Sequence, residues 1–271
     1  MSQVIIIGGG AAGMMAAIAA AGAGHKVCIY EKNEKLGKKI YITGKGRCNV
    51  TNACDTEELF QNVVHNAKFL YSSFYAFTNT DIMDLIEKHG CPLKTERGNR
   101  VFPISDKSSD VIHALTAALR KLGVEVELHE EVADVLAEDG HVTGVRLKRG
   151  QKVVFADAVI VTTGGLSYPS TGSTGDGYRF AKELGHTITD LSPALVPFVA
   201  KEDVCKELQG LSLRNISVQI RNGKKVLYEE FGEMLFTHFG ISGPLTLSAS
   251  SHLGDMKKHK YHAEIDLKPA L

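Results

Sequence analysis

The chain has 271 residues, of which 44% are hydrophobic and 23% are charged, and lysine plus arginine equal aspartate plus glutamate at 31 each. These values are near the average of globular proteins, and a neutral chain has no global basic field for nucleic acid, so we expect a cytoplasmic protein without a nucleic-acid partner. The five cysteines are scattered and form no C-x-x-C pair, which predicts neither a disulfide framework nor a metal site.

The chain begins with a long apolar segment, VIIIGGGAAGMMAAIAAAGAG at residues 4–24. Its length is close to the ~20 apolar residues that span a bilayer. No positive charge precedes it, the first lysine is Lys26, and four of the six residues 8–13 are glycine. A secretory signal needs a basic start and glycine weakens a spanning helix, so we predict neither a signal peptide nor a membrane anchor.

The same segment has the pattern of a dinucleotide-binding turn. Residues 4–7 predict a buried strand and residues 11–23 a helix, joined by the G-x-G-x-x-G turn of Gly8, Gly10 and Gly13. In such a turn Gly8 allows the tight bend, Gly10 lets a pyrophosphate approach the backbone, and Gly13 lets the helix lie close to the strand. The sequence therefore predicts a phosphate site at the start of this helix.

The next predicted strand supports this interpretation. It runs from His25 to Glu31, so an acidic residue stands 21 positions after Gly10. A carboxylate there accepts hydrogen bonds from the ribose of a dinucleotide. We expect the N–H groups of Ala11 and Ala12 to bind the phosphates and Glu31 to bind the ribose.

Residues 56–122 predict a mainly helical segment. Apolar residues recur at helical spacing as far as Gly90, and residues 108–122 predict a further helix. Between them, residues 100–103 predict a strand that enters a turn. We expect the aromatic residues of the first part to serve core and helix packing, with a flavin-stacking set as the alternative, and these are Phe69, Tyr71, Phe74, Tyr75 and Phe77.

The following stretch distinguishes between two dinucleotides. A strand at 124–128 precedes three antiparallel strands, a meander, with turns at 139–140 and 149–150. A final apolar strand at 158–162 returns to the sheet and ends on a Thr-Gly-Gly turn. A meander in place of a helical crossover is typical of flavoprotein FAD domains and unusual in NAD dehydrogenases, so FAD is the predicted cofactor.

Two prolines, Pro193 and Pro197, interrupt the α/β pattern and predict a domain boundary. Beyond it, an Asn-Gly pair at 222–223 predicts the type I′ turn of a β-hairpin. We therefore predict an α/β fold with a Rossmann-like FAD-binding domain at residues 1–190, in which an antiparallel β-meander forms the crossover. Residues 191–271 are predicted to begin a second, mainly β domain.

Four stretches carry a resemblance to a known family. They are KKIYITGKGRCNVTN at 38–52, GNRVFPISDKSSDV at 98–111, TTGGLSYPSTGSTGDGYRFAKELGH at 162–186 and FTHFGISGPLTLSAS at 236–250. In this order they resemble the BaiN-like, aminoacetone-oxidase-type FAD-dependent oxidoreductases, over essentially the whole chain. The resemblance implies a two-dinucleotide-binding flavoprotein fold with an inserted β-rich substrate or cap domain. Such proteins return to the FAD domain after the insertion, so we expect the 271 residues to be part of a longer protein.

The resemblance also implies which residues lie near the cofactor. It places the G-R-C-N loop over the FAD, Lys32 and Lys39 beside its adenosine or pyrophosphate, and Val132 against the adenine. With the turn and the strand ends, the candidate cofactor-binding residues are Gly8, Gly10, Ala11, Ala12, Gly13, Glu31, Lys32, Lys39, Gly46, Arg47, Asn49, Val132, Thr163, Gly164 and Gly165.

No catalytic residue can be assigned from the sequence. His238 and Tyr168 are titratable residues that the resemblance places near the cleft between the domains, and the alternatives are a packed or surface histidine and a hydrogen-bonded tyrosine. Cys48 is either a redox thiol beside the flavin or, as is more common, a small buried residue. We expect Lys35 and Lys38 on a solvated loop face.

Three function classes follow. The first is an oxidoreductase that passes hydride from NAD(P)H through FAD to a small organic substrate, such as one with a conjugated double bond. The second is a flavin amine oxidase that uses oxygen. The third is a flavin-dependent RNA-modifying protein, against which the neutral charge argues. The oligomeric state stays open.

Overall fold

The computed structural model describes residues 1–254 and 258–269. The chain divides into two compact units, residues 1–188 and residues 189–271. Each unit contains hydrophobic core of its own.

The first unit combines ten strands with six helices and four short 3-10 turns. The strands are β1 (Gln3–Ile7), β2 (Lys26–Glu31), β3 (Thr51–Asn52), β4 (Leu93–Glu96), β5 (Arg100–Pro103), β6 (Glu125–Leu128), β7 (Val132–Glu138), β8 (His141–Leu147), β9 (Val153–Phe155) and β10 (Ala158–Val161). The helices are α1 (Ala11–Gly22), α2 (Thr56–Gln61), α3 (Tyr71–Ala76), α4 (Asn79–Lys88), α5 (Ser108–Lys121) and α6 (Asp176–Glu183). The 3-10 turns are Ile40–Gly46, Ala67–Leu70, Arg149–Gln151 and Pro169–Thr171.

Four parallel strands form the central sheet, in the order β10-β1-β2-β6. In the central strand β1, Ile6 pairs with Ile160 on one side and with Ile29 on the other. Four consecutive residues of β1, Val4 to Ile7, are buried, as expected for a parallel strand covered on both faces. The four strands predicted from apolar runs are confirmed, within two residues at their ends.

The two faces of this sheet are covered differently. Helices α1 and α5 lie over one face, where Met14 and Leu119 share a core cluster with Ile6. The meander β7-β8-β9 lies over the other face, where Ile5 and Val145 belong to a second cluster. Because side chains alternate along β1, neighbouring isoleucines stabilise opposite layers. The predicted meander crossover is confirmed.

The segment predicted as mainly helical is interrupted by strands. β4 and β5 form a hairpin, and β3 adds to its edge, giving a three-stranded sheet in the order β3-β5-β4. The strand predicted at residues 100–103 is confirmed as β5, whereas β4 was not predicted, because four residues are too few to establish an alternation.

The aromatic residues of this segment are also placed differently from the prediction. They pack on one another and on Phe60, whose ring centroid lies 5.1 Å from that of Phe74, while Tyr71 and Tyr75 lie 4.7 Å apart. Phe69 is 84% exposed. Tyr71, Phe74 and Tyr75 thus take part in helix packing as predicted, but the expectation that the five side chains join the core is wrong, because α2 and α3 have six residues each and bury none of them.

The second unit is built on one antiparallel sheet with the strand order β11-β14-β13-β12-β15. Its elements are β11 (Phe198–Val199), α7 (Val204–Glu207), β12 (Ser212–Asn222), β13 (Lys225–Thr237), β14 (Gly240–Ser242), α8 (Pro244–Ser250) and β15 (Tyr261–Asp266). Apolar residues of β12, β13 and both helices form its core, among them Ile216, Val218, Met234 and Leu245.

The predicted hairpin of this unit is present, but its turn is displaced by one residue. Asn222 pairs with Lys225, so the two turn residues are Gly223 and Lys224. Only Gly223 has a positive φ, at 59°. Glycine in the first turn position is the pattern of a type II′ turn, and the predicted type I′ turn at 222–223 is wrong.

Candidate functional site

The first unit contains a cavity of about 360 Å³ at the carboxyl ends of β1, β2 and β10. Ligands of open α/β sheets bind at this edge. The lining residues are Ile7, Gly8, Gly10, Ala11, Ala12, Tyr30, Glu31, Lys32, Asn33, Lys38, Lys39, Ile40, Thr43, Glu130, Glu131, Val132, Val161, Thr162, Thr163, Gly164, Thr171, Gly172, Ser173, Asp176 and Phe180.

The three glycines of the turn between β1 and α1 occupy different surroundings. Gly8 has a φ of +102°, and a Cβ there would lie 2.7 Å from the carbonyl oxygen of Thr162. A Cβ at Gly13 would lie 1.9 Å from the carbonyl oxygen of Gly8. At Gly10, by contrast, a Cβ would meet no protein atom within 4 Å. Gly8 and Gly13 are thus required by the fold, whereas Gly10 leaves space on the cavity side.

The start of α1 offers unused hydrogen-bond donors to this space. Gly10 is the N-cap residue, and no side chain caps the helix. The N–H groups of Ala11 and Ala12, in the first turn, have no carbonyl partner within the helix. Together with the positive end of the helix dipole they form a site for an anion, which is the role that the G-x-G-x-x-G pattern predicts.

Glu31 ends β2 and is 7% exposed. Its Oε2 accepts a hydrogen bond of 2.6 Å from the N–H of Gly9, and its Oε1 accepts bonds of 2.7 Å each from the backbone N–H and the side-chain amide of Asn33. A carboxylate offers about four acceptor positions, so about one remains for a ligand hydroxyl. Glu31 therefore joins the glycine turn to the β2 end while still facing the cavity.

Lys32 and Lys39 also line the cavity and are held by the segment that follows β10. Lys32 Nζ lies 2.7 Å from Asp176 Oδ2 and 2.7 Å from Thr174 Oγ1. Lys39 Nζ donates to Ser173 Oγ at 2.6 Å. Both cations are thus positioned on the cavity wall and can offset the charge of an anionic ligand.

The pKa of the Asp176 carboxyl reflects these contacts. Burial acts to raise its pKa, but hydrogen bonds from Lys32 and Thr174 outweigh burial and hold the pKa below its ordinary value. Asp176 is therefore ionised at neutral pH, as the partner of Lys32. Lys38 also lines the cavity, and its Nζ contacts Glu34 Oε2 at 3.1 Å.

The end of β10 supplies a hydroxyl without a partner. Thr162 Oγ1 lies 2.9 Å from the carbonyl oxygen of Gly8 and so fixes the glycine turn to β10. Thr163 Oγ1 is buried and has no hydrogen-bond partner within the described residues. Buried hydroxyls are normally satisfied, so Thr163, a residue of the cavity lining, retains an unused hydrogen-bonding group. Val132, which begins β7, is 5% exposed and lines the cavity as an apolar wall.

The structure does not bring every predicted residue to the cavity. Gly8, Gly10, Ala11, Ala12, Glu31, Lys32, Lys39, Val132, Thr163 and Gly164 line it. Gly13, Gly46, Arg47, Asn49 and Gly165 are outside its lining. Gly13 still shapes the site, because it allows the close approach of α1 to Gly8.

Arg47 is engaged elsewhere. Its two terminal nitrogens contact the two carboxylate oxygens of Glu96 at 2.9 and 3.1 Å, Asp106 lies 3.1 Å away, and its guanidinium lies 3.9 Å from the ring centroid of Phe102. The Asn49 amide, in the orientation that satisfies its hydrogen bonds, donates to the Thr51 carbonyl. A cofactor contact of either residue stays a prediction.

The three residues considered for redox or acid–base roles are outside the cavity lining. Burial raises the pKa of the Cys48 thiol, which the Thr43 hydrogen bond only partly offsets, so Cys48 has the properties of a packed thiol. Tyr168 is 66% exposed with a φ of +54°. His238 is exposed in the second unit and packs edge-on against Phe239.

Several lining residues were missed by the sequence analysis. Asn33 binds Glu31, Asp176 binds Lys32, and Thr171 accepts a hydrogen bond from Asn33 through its carbonyl oxygen. The position of Asn33, two residues beyond Glu31, was the available indication, because short polar side chains commonly bind nearby backbone or side-chain groups. No local pattern indicates Asp176, which is 144 residues from Lys32.

These residues fit a dinucleotide such as FAD. The open space at Gly10 and the uncapped start of α1 suit the pyrophosphate, Glu31 retains an acceptor for the ribose, and Thr163 Oγ1 has an unused hydrogen-bonding capacity. Over residues 1–254 and 258–269, no cluster of three histidine, cysteine or acidic side chains is arranged to hold a metal ion. Within the same ranges, the helices are all too short or too polar to cross a membrane.

Comparison with curated proteins shows two relatives over most of the chain. The chain is 34% identical over 256 residues to a 3-dehydro-bile acid delta(4,6)-reductase of Clostridium scindens, which is 93% of this chain and 61% of that protein. It is 32% identical over 250 residues to a ribosomal RNA dihydrouridine synthase of Escherichia coli, which is 92% of this chain and 60% of that protein. The chain thus spans about three fifths of the length of these relatives.

The fold has counterparts among solved flavoproteins. A flavocytochrome c3 fumarate reductase in an open conformation superposes with a TM-score of 0.57 at 23% identity, over 79% of this chain and 47% of that one. This likeness concerns the fold alone. The family model described as the HI0933-like protein Rossmann domain matches residues 2–247. The chain therefore belongs to the HI0933-like family of FAD-dependent Rossmann-domain oxidoreductases.

Proposed function

We propose that the protein of this chain is an FAD-dependent reductase of a carbon–carbon double bond conjugated to a carbonyl group. The observation that carries the proposal is the cavity at the sheet edge, where an uncapped helix start, a buried carboxylate and two lysines surround one space. This is the set of groups that a dinucleotide requires: donors for its phosphates and an acceptor for its ribose.

The two relatives support the choice of reaction. The name of one describes reduction of the delta(4,6) double bonds of a 3-keto bile acid, and the name of the other describes conversion of uridine to dihydrouridine. In both, a double bond conjugated to a carbonyl is saturated. The shared reaction class comes to this chain as a proposal, since the chain spans about three fifths of each relative.

Bound FAD supplies hydride transfer to the double bond, and the chain supplies binding and orientation. The N–H groups of Ala11 and Ala12 hold the pyrophosphate, with Lys32 and Lys39 offsetting its charge. Glu31 accepts a hydrogen bond from a ribose hydroxyl, and Val132 forms an apolar wall for the adenine. We also propose that residues 191–271 begin a substrate or cap domain.

We propose NAD(P)H as the electron donor, as the sequence predicts for the first function class. Reduction of a double bond requires two electrons and two protons, so a donor must reduce the flavin in each cycle. The amine oxidase alternative requires instead that an amine reduces the flavin and oxygen reoxidises it. Cys48, a buried thiol outside the cavity lining, gives no support to a thiol relay between donor and flavin.

The test is a two-stage anaerobic experiment on the full-length protein. NADH, NADPH and a small amine are added in turn, and loss of the oxidised flavin spectrum identifies the donor. The reduced protein is then mixed with an α,β-unsaturated ketone, with uridine-containing RNA, or with the saturated analogue of each as a control. We expect reoxidation by an unsaturated compound and by neither saturated one. Reduction by the amine, with reoxidation by oxygen alone, would contradict the proposal.

A further inference from the structure

Two basic stretches, distant in sequence, meet at one end of the second unit's sheet. Asn222, the last residue of β12, pairs with Lys225 of β13 on one side and with Tyr261 of β15 on the other. The Asn222 side-chain nitrogen also lies 3.3 Å from Nδ1 of His259. The β12–β13 turn and the entrance to β15 therefore form one continuous surface.

This surface carries positive charge without acidic residues of its own. Residues 221–225 are RNGKK and residues 258–262 are KHKYH. We call this surface the basic edge, and its basic residues are Arg221, Lys224, Lys225, Lys258, His259 and Lys260. Lys224, Lys225 and Lys260 are exposed, and none of them forms an ion pair with any described residue. Arg221 is paired, with Glu264 Oε2 3.0 Å from its Nε.

Like charges gathered on one surface repel one another, and a bound anion would offset this repulsion. β12 lies between β13 and β15, so two inter-strand spacings of about 4.8 Å separate Lys225 from the entrance to β15. A chain with equal numbers of acidic and basic residues has acidic side chains available to neutralise such a cluster, yet Lys224, Lys225 and Lys260 have no acidic partner among the described residues. A net charge of zero is therefore compatible with a local positive potential, because net charge is a sum over the whole surface.

We propose that the basic edge binds the phosphate backbone of an RNA substrate. The inference rests on the proposed function, of which it names the substrate class. Lysines without an acidic partner contact phosphates as point charges, and the ring of Tyr261, 6.0 Å from that of His259, places aromatic surface among them. Backbone recognition of this kind positions RNA without selecting its sequence. The relative named as a ribosomal RNA dihydrouridine synthase indicates the same substrate class.

The test compares two triple variants of the full-length protein that remove the same amount of charge. Lys224→Gln, Lys225→Gln and Lys260→Gln together neutralise the basic edge. Lys201→Gln, Lys206→Gln and Lys268→Gln neutralise three exposed lysines elsewhere in the same unit. Affinity for a transcribed ribosomal RNA fragment is measured by fluorescence anisotropy over a series of salt concentrations. Thermal unfolding of each variant shows whether it is folded.

We expect the basic-edge variant to bind RNA at least about tenfold more weakly at ~0.1 M salt, with the slope of log K against log salt reduced by about 2–3, because each lost phosphate contact removes roughly one counterion. The control variant should retain the wild-type affinity and slope. A third variant with arginine at the same three positions should bind as the wild type does, and it tests the proposal even if the glutamine variant unfolds.

Equal RNA affinity in the wild type and the basic-edge variant would overturn the inference, as would binding of anionic vesicles but not of RNA. Reduction of a small unsaturated ketone separates this inference from the proposed function, because ketone reduction should be unchanged in the basic-edge variant. Ketone reduction without RNA binding contradicts the inference alone. RNA binding without reduction of any double bond contradicts the proposed function and leaves the binding surface established.

Discussion

The carboxylate of Glu31 accepts a hydrogen bond of 2.6 Å from the backbone N–H of Gly9, in the middle of the glycine turn. The residue predicted to bind a ribose therefore also holds the turn that approaches the phosphates. Its removal by alanine would lose the turn contact and the ribose contact together, whereas glutamine keeps the shape of the side chain and one acceptor oxygen.

The first prediction concerns Glu31→Gln. An amide keeps the shape of the carboxylate but has one acceptor oxygen, and its NH₂ group would face the N–H of Gly9 or the N–H groups of Asn33. We expect FAD affinity to fall by roughly 1.5–3 kcal/mol, the range for hydrogen bonds to charged groups. Flavin fluorescence titration measures it. Glu125→Gln, at a surface ion pair with Lys26, is the control and should bind FAD normally. Unchanged affinity in Glu31→Gln would show that the carboxylate has no ligand role.

The second prediction separates two glycines that the motif treats alike. A methyl group at Gly10 meets no protein atom within 4 Å, whereas at Gly13 it would lie 1.9 Å from the Gly8 carbonyl oxygen. Gly10→Ala should therefore fold normally and bind FAD weakly, because the methyl occupies space needed by the pyrophosphate. Gly13→Ala should lower the free energy of unfolding by about 1–3 kcal/mol, the cost of overpacking. Urea unfolding and FAD titration of both variants provide the comparison, and similar profiles would refute the distinction.

The third prediction is a pH dependence of stability at Asp176. The pKa of its carboxyl is lower in the folded protein than in the unfolded chain, so its contribution is complete above the unfolded pKa and is lost as pH falls through the folded pKa. Asp176→Asn should cost roughly 1–2 kcal/mol at pH 7, toward the low end for bonds to charged groups because about a quarter of each side chain is exposed. The cost should shrink below about pH 4. Unfolding in urea across this range measures it, with Glu125→Gln, at the surface pair with Lys26, as control. A cost independent of pH would exclude the ion pair as its source.

The fourth prediction concerns Cys48. Burial raises the pKa of its thiol, and the side chain is 7% exposed. We expect Cys48 to react with thiol reagents only after unfolding, and Cys48→Ala to cost about 1 kcal/mol of stability while leaving the rate of flavin reduction unchanged. The measurement is the stopped-flow rate of flavin reduction by the electron donor that the anaerobic experiment identifies. A rate of flavin reduction that falls in Cys48→Ala while FAD remains bound would show that Cys48 has a redox role.

The sequence by itself determined the features that depend on local patterns. The run Val4–Ile7, the spacing of Gly8, Gly10 and Gly13, and the acidic end of β2 were sufficient to predict a β-α-β dinucleotide fold, because each glycine answers a local steric need. The turns at 139–140 and 149–150 predicted the meander in the same way.

Only the tertiary structure decided which distant residues complete the site. Asp176 and Thr171 meet Lys32 and Asn33 because β10 returns beside β1, a contact that no local spacing encodes. Arg47 was predicted near the cofactor from its loop, but the β4–β5 hairpin provides Glu96 as a bidentate partner. The basic edge likewise exists because β15 pairs with β12, which brings Lys260 to the same end of the sheet as Lys224 and Lys225. Composition could not show it, because a neutral sum does not depend on where the charges lie.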